Sequence, residues 1–158
     1  MTKEMKQQFT LKITRANKSQ LVVILYEMLL TYLDEAQSAH EKNDRAAFRD
    51  GIRKGRACLR ELMASLHYEY EIAFRLLQLY LYADRELTRA EIHNSKEELS
   101  HVRTVMRKLH DAYETVSSQD TSAPIMENTQ AVYAGLTYGK GNLNVSLADQ
   151  GSSRGFRA

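Results

Sequence analysis

The stretch "EIAFRLLQLYLYADREL", Glu71 to Leu87, carries more apolar side chains than one helical face can hide. At about 100° per residue, Ile72, Leu76, Leu79, Tyr80, Ala83, Leu87 and Ala90 fall on one side and form a core stripe. Phe74, Leu77 and Leu81 fall on nearly the opposite side. A helix that is apolar all round is either central in its domain or covered by something else. Which of the two applies here bears directly on function.

The preceding segments repeat the pattern. A helix is expected to start at "NKSQ", with Asn17 capping the first turn and Gln20 reciprocating three residues later, and to run to about Glu41. Its core stripe reads Leu21, Leu25, Met28, Leu29, Tyr32, Ala36 and Ala39, while Val23, Tyr26 and Leu30 lie on another side with Leu33 beside them. That second stripe either packs on another helix of the same bundle or faces a partner. Residues 43 to 66 give Phe48, Ile52, Gly55, Leu59, Leu62 and Leu66, the alternation of four and three that draws a bundle seam. Gly51 and Gly55 weaken that helix by about 1 kcal/mol each relative to Ala, which close helix packing would explain. "NSKE" offers Asn94 as a further cap with Glu97 as its partner, and Leu99, Val102, Met106, Leu109, Tyr113 and Val116 line the last helix.

The fold class expected is therefore all-α: an antiparallel up-and-down four-helix bundle, with a short amino-terminal helix at Lys3 to Lys12. Gly and Pro divide the chain sharply. Only Gly51 and Gly55 occur before Pro124, whereas five glycines follow it. Residues 1–116 read as the bundle and residues 117–158 as a largely irregular tail. Within that tail, Ile125, Met126, Val132, Tyr133, Leu136 and Tyr138 are many apolar groups for a segment left in water, so Ile125 to Tyr138 is expected to fold back over apolar surface of the bundle, covering the Phe74, Leu77 and Leu81 stripe or occupying the partner groove; a disordered extension, which the glycines and serines favour, is the alternative.

Composition excludes several functions. With 158 residues, 43% hydrophobic and 27% charged, the chain can bury a core. A formal charge of +2 without a basic patch argues against nucleic acid. The longest apolar run, Leu21 to Leu33, is interrupted by Glu27 and too short to span a bilayer, so no membrane insertion is expected. The polar start lacks the apolar core of a signal peptide and the single Cys58 has no internal partner, which suits the cytoplasm. Cys58 lies next to the seam as a small buried filler.

A metal enzyme is the sharpest alternative, because "ELSH" spaces Glu98 and His101 as a Glu-x-x-His ligand pair. No second copy exists, and His101 points away from the core stripe. His40, His67, His93 and His110 fall on flanks or junctions, and none pairs with Cys58 as nucleophile and base. No catalytic residue, metal ligand or cofactor is expected.

Four segments carry a resemblance to a known family. "ITRANKSQLVVILYEMLLTYLDEA" from Ile13, "IRKGRACLRELMASL" from Ile52, "EIAFRLLQLYLYADRELTRA" from Glu71 and "HVRTVMRKLHDAY" ending at Tyr113 resemble, in order, the flagellar export chaperone FliS family. Leu25 and Tyr26 match the family's Leu-Tyr, and Leu79, Tyr80 and Tyr82 its Leu-Tyr-x-Tyr. The resemblance implies a cytoplasmic four-helix bundle that wraps the disordered carboxy-terminal segment of flagellin around itself. In that role it blocks premature polymerisation and delivers the subunit to the flagellar export gate. Four departures stand out. Tyr70 and Glu71 replace a Gly-Gly, Met28 replaces a small Gly, Leu77 and Leu81 sit where relatives are commonly polar, and Phe9 stands in for an amino-terminal Tyr. The candidate partner-binding residues are Phe9, Ile13, Val23, Tyr26, Leu30, Leu33, Phe74, Leu77 and Leu81. A structural or regulatory bundle binding another flagellar protein is the alternative, and a homodimer is left open.

Overall fold

The computed structural model describes residues 1–126. Five helices follow one another: α1 (Lys3–Arg15), α2 (Lys18–Glu41), α3 (Arg45–Ala64), α4 (Glu71–His93) and α5 (Glu97–Gln119). Their ends follow local chemistry. The Asn17 side chain accepts from the Gln20 amide at 2.9 Å, and the Gln20 side chain accepts from the Asn17 amide at 3.0 Å, the reciprocal cap expected from "NKSQ". Asn43, in the left-handed region at φ 57°, turns the chain after α2, and Asp44 caps α3 by accepting from the Ala47 amide at 3.0 Å. α1 extends one turn beyond the expected Lys12, and α5 runs three residues beyond Val116.

One cap differs from expectation. Asn94 does not open α5; it closes α4 at φ 52° and ψ 50°, a conformation that Asn tolerates better than most residues. Ser95 instead serves the next helix, its hydroxyl accepting from the Glu97 amide and donating to the Glu98 carboxylate.

Helices α2 to α5 form the up-and-down bundle. α2 and α4 each pack on both α3 and α5 and so stand at diagonal corners, while α1 lies along α2. The core runs through Tyr26, Leu29, Leu33, Phe48, Ile52, Leu59, Leu62, Tyr80, Leu87, Leu99, Val102 and Met106, all nearly or fully buried. Arg56 holds Asp84 through two hydrogen bonds of 2.8 and 3.2 Å, and Arg53 reaches Glu91 at 3.2 Å. These pairs fix the register of α3 against α4. No helix among the described residues is long and apolar enough to cross a membrane.

The seam expected on α3 is observed from Phe48 to Leu62, while Leu66 lies beyond the helix and is only partly buried. On α2 the phase differs by roughly a quarter turn: Tyr26 and Leu33, expected on the spare face, are fully buried, whereas Leu21, Leu25, Met28 and Tyr32 are only partly so. The reason is that α2 touches three other helices. A helix buried on several sides offers its own periodicity no single answer.

The close approach of α3 to α2 accounts for Gly51. A Cβ there would lie 2.9 Å from the Ala36 Cβ and 3.0 Å from the Tyr32 carbonyl oxygen, atoms fixed to a helix backbone. At Gly55 the nearest atom is the movable Leu29 Cδ1, at 3.2 Å. Helix propensity alone would favour Gly51→Ala by about 1 kcal/mol. Overpacking is expected to reverse that and leave a net loss of about 1 to 3 kcal/mol, read as a lower urea midpoint. Gly55→Ala should lose less. A raised midpoint for Gly51→Ala would mean that the helices can separate at no cost.

Candidate partner-binding site

The four helices do not seal one end of the bundle. There, the start of α2, the end of α3, the start of α4 and Tyr113 of α5 surround an open bowl of about 470 Å³. Its wall is mainly aliphatic, with Leu21, Val22, Leu25, Leu66, Ile72 and Leu76 facing the opening. The composition of each helix end produces this. Leu66 follows the end of α3, and Ile72, in the first turn of α4, is 63% exposed while its neighbour Ala73 is buried, so the core stripe expected through Ile72 does not hold at this end.

Tyr80 and Tyr113 also line the bowl, and both rings pack on Tyr26 behind it. The Tyr26 and Tyr80 hydroxyls are hydrogen-bonded to each other, and the Tyr113 ring packs 5.6 Å from that of Tyr26, centroid to centroid. Burial pushes both hydroxyls of the pair well above the ordinary phenol range, so both keep their protons. The Leu-Tyr and Leu-Tyr-x-Tyr positions thus place two tyrosines in the core, where one hydroxyl donates to the other.

The chain after α5 crosses the rim of the bowl. Asn17 Nδ2 donates to the carbonyls of Asp120 and Ser122 at 3.2 and 3.3 Å, the Ser19 hydroxyl donates to the Asp120 carboxylate, and the Ile125 amide donates to the Ala16 carbonyl at 3.0 Å. Hydrogen bonds from Ser122 and then Ser19 hold the Asp120 carboxyl down at about 2. Ile125 contributes to the lining of the bowl. Of the segment expected to fold back, Ile125 and Met126 are placed here, and residues 127–138 lie outside the described residues.

The nine residues singled out from the sequence divide by environment. Phe74 and Leu81 are exposed, at 54% and 43%, and Leu77 beside them is half-buried, so the second face of α4 is open. Tyr68 extends it, its ring 5.6 Å from that of Phe74. Phe9 and Ile13 are half-buried on α1, and Leu30 is half-buried against the core. Of the two alternatives for the second stripe of α2, burial within the bundle holds for Val23, Tyr26 and Leu33, which corrects their place among the partner-binding candidates. Tyr26 and Leu33 belong to the core, and Val23 is buried beside Leu11 and Ala16. None of the nine lines the bowl. Sequence reasoning missed it because Leu21, Leu25, Ile72 and Leu76 had the spacing of core positions; their place at helix ends was the available signal.

Glu98 and His101 are not brought together. Glu98 accepts from Ser95 and lies near His93, while His101 approaches Glu86 at 3.4 Å. His110, Asp111 and Glu114 each offer an atom within 4.8 Å of the others, on one largely exposed turn of α5. Cys58 is buried, and its thiol is pushed up to about 11 by that burial, which suits a packing residue better than a nucleophile.

The described residues thus form a helical bundle with an open apolar bowl at one end and an exposed apolar stripe on α4. The family model described as "Flagellar protein FliS" matches residues 1–120, and the chain belongs to that family. Membership assigns it the family's general role as a chaperone of flagellar export. No curated protein matches the chain.

The tyrosine pair sets a stability test. Tyr26→Phe or Tyr80→Phe alone strands a buried hydroxyl and should cost about 1 to 3 kcal/mol, whereas the double change should cost less than the sum of the two. Raised phenol and thiol values in the fold also carry a sign: this contribution is complete below the unfolded-chain values and is lost as pH rises. The urea midpoint should fall as pH rises beyond about 9 to 10, less steeply in the double variant. A double cost equal to the sum of the single costs would show that the hydroxyls act independently.

Proposed function

We propose that this protein is a cytoplasmic export chaperone that binds the disordered carboxy-terminal segment of flagellin, prevents its premature polymerisation and escorts it to the flagellar export gate. The observation that carries this reading is the bowl. An aliphatic cavity of about 470 Å³, open at the end of a bundle, supplies spare apolar surface for side chains of a partner. The exposed stripe of Phe74, Leu77 and Leu81 supplies a second surface, suited to the apolar face of an amphipathic helix. Phe9 and Ile13 on α1 add a third patch, with Leu30 a partly accessible neighbour of the core. A segment that folds as it binds can pass from one patch to the next and cover a long path on a small helper. The same surfaces would accept a second copy of the chain in the absence of flagellin, which makes a homodimer a competing state and not a separate function.

Ile72→Glu tests the bowl. Ile72 is mostly exposed, so the substitution should leave the urea midpoint nearly unchanged. Placing a carboxylate against aliphatic side chains should nonetheless weaken binding of a flagellin carboxy-terminal peptide by about tenfold or more, measured by calorimetry. Undiminished affinity in the folded variant would remove the bowl from the binding surface. Phe74→Glu provides the parallel test for the stripe.

A further inference from the structure

The segment Asp120–Met126 has no helical structure of its own, yet its position is fixed by named contacts. Its anchoring uses mainly its own backbone: two carbonyls accept from Asn17 Nδ2, and one amide donates to the Ala16 carbonyl. Asn17 and Ala16 are both buried, each 3% exposed, so these partners are held rigidly at the junction of α1 and α2. Asn17 performs two tasks with opposite ends of one amide. Its oxygen caps α2 and its nitrogen holds the strap. Backbone-directed contacts of this kind do not depend on the side chains of the bound segment. The one apolar side chain delivered to the bowl by the strap is Ile125.

We propose that the strap Asp120–Met126 is an intramolecular ligand of the bowl, so that the bowl takes a non-helical peptide bearing an aliphatic side chain and the strap and an incoming segment exclude each other. The proposal rests on the flagellin-binding reading and adds the regulation of that site. The strap is poised for exchange. Ile125 remains 49% exposed, so only about half of its side chain gains from burial, and the anchoring hydrogen bonds can be replaced by water at small net cost. A tethered competitor is present at a high effective concentration and lowers the apparent affinity of an external ligand by the fraction of time the bowl is filled. A partner segment that fits better displaces it, and on release the strap closes again over surface that would otherwise be left to water.

The test uses the full chain and a synthetic flagellin carboxy-terminal peptide as probe. Ile125→Ser removes the aliphatic group and leaves every bowl residue contributed by the helices in place. The peptide should bind about threefold to tenfold more tightly to this variant than to the unaltered chain. In the unaltered chain the Ile125 amide should be protected from hydrogen exchange and should lose that protection when peptide is added. Equal affinity in the two proteins, with Ile125 still protected in the complex, would overturn the proposal while leaving flagellin binding intact. Weaker binding by Ile125→Ser would also overturn it, by showing that the strap helps to hold the partner. If neither protein binds the peptide, it is the flagellin reading that fails; protection of the Ile125 amide in the free chain then reports on the strap alone.

Discussion

The packing of α2 on three sides is the constraint from which the rest of the molecule follows. α3 approaches it closely enough at Gly51 that a methyl group would strike helix backbone, α5 closes a second side, and α1 lies along it. Every strongly apolar face of α2 is therefore largely taken up within the fold. α4, at the opposite corner, brings its backbone close only to α3 and α5 among the described helices, and its outer face leaves Phe74 and Leu81 exposed and Leu77 half-buried. Two helices with the same excess of apolar residues thus have different fates, and the number of neighbours decides between them.

The same arrangement leaves one end of the bundle open. α2 and α4 stand diagonally and meet through the Tyr26 and Tyr80 side chains, and where α3 ends and α4 begins the space between them is the open bowl. Tyr80, whose hydroxyl is hydrogen-bonded to that of Tyr26, lines the bowl together with the aliphatic wall. An apolar cavity of this size open to water is costly for a protein with no use for it. The proposed binding of a partner segment would give it such a use, and the strap Asp120–Met126 already lays Ile125 against this surface.

Much of the fold was legible in the sequence because helix ends and seams are written locally. The Asn17 and Gln20 cap, the α3 seam and the extent of α2 all depend on residues within a few positions of each other. The identity of the buried face of α2 was not legible, since Tyr26 and Leu33 are buried by helices far along the chain. Asn94 was misread because the same side chain suits a helix start and a left-handed helix end, and only the geometry of the connection distinguishes them. At the candidate site, the excess of apolar groups on α4 was legible but their exposure was not, since Ile72 and Leu79 of the expected core stripe are exposed as well as Phe74 and Leu81. Nor was the bowl, because residues at the frayed end of a bundle have the same spacing as residues in its middle.

The central claim, that a partner segment enters the bowl, is tested most directly by following leucine and isoleucine methyl resonances while the flagellin carboxy-terminal peptide is titrated into the full chain. The account predicts saturable shifts at Leu21, Leu25, Leu66, Ile72 and Leu76, with Ile125 moving toward its solvent-exposed position. Shifts confined to the opposite end of the bundle, around Ile52, Leu87 and Leu99, with the bowl methyls unmoved at saturation, would contradict it.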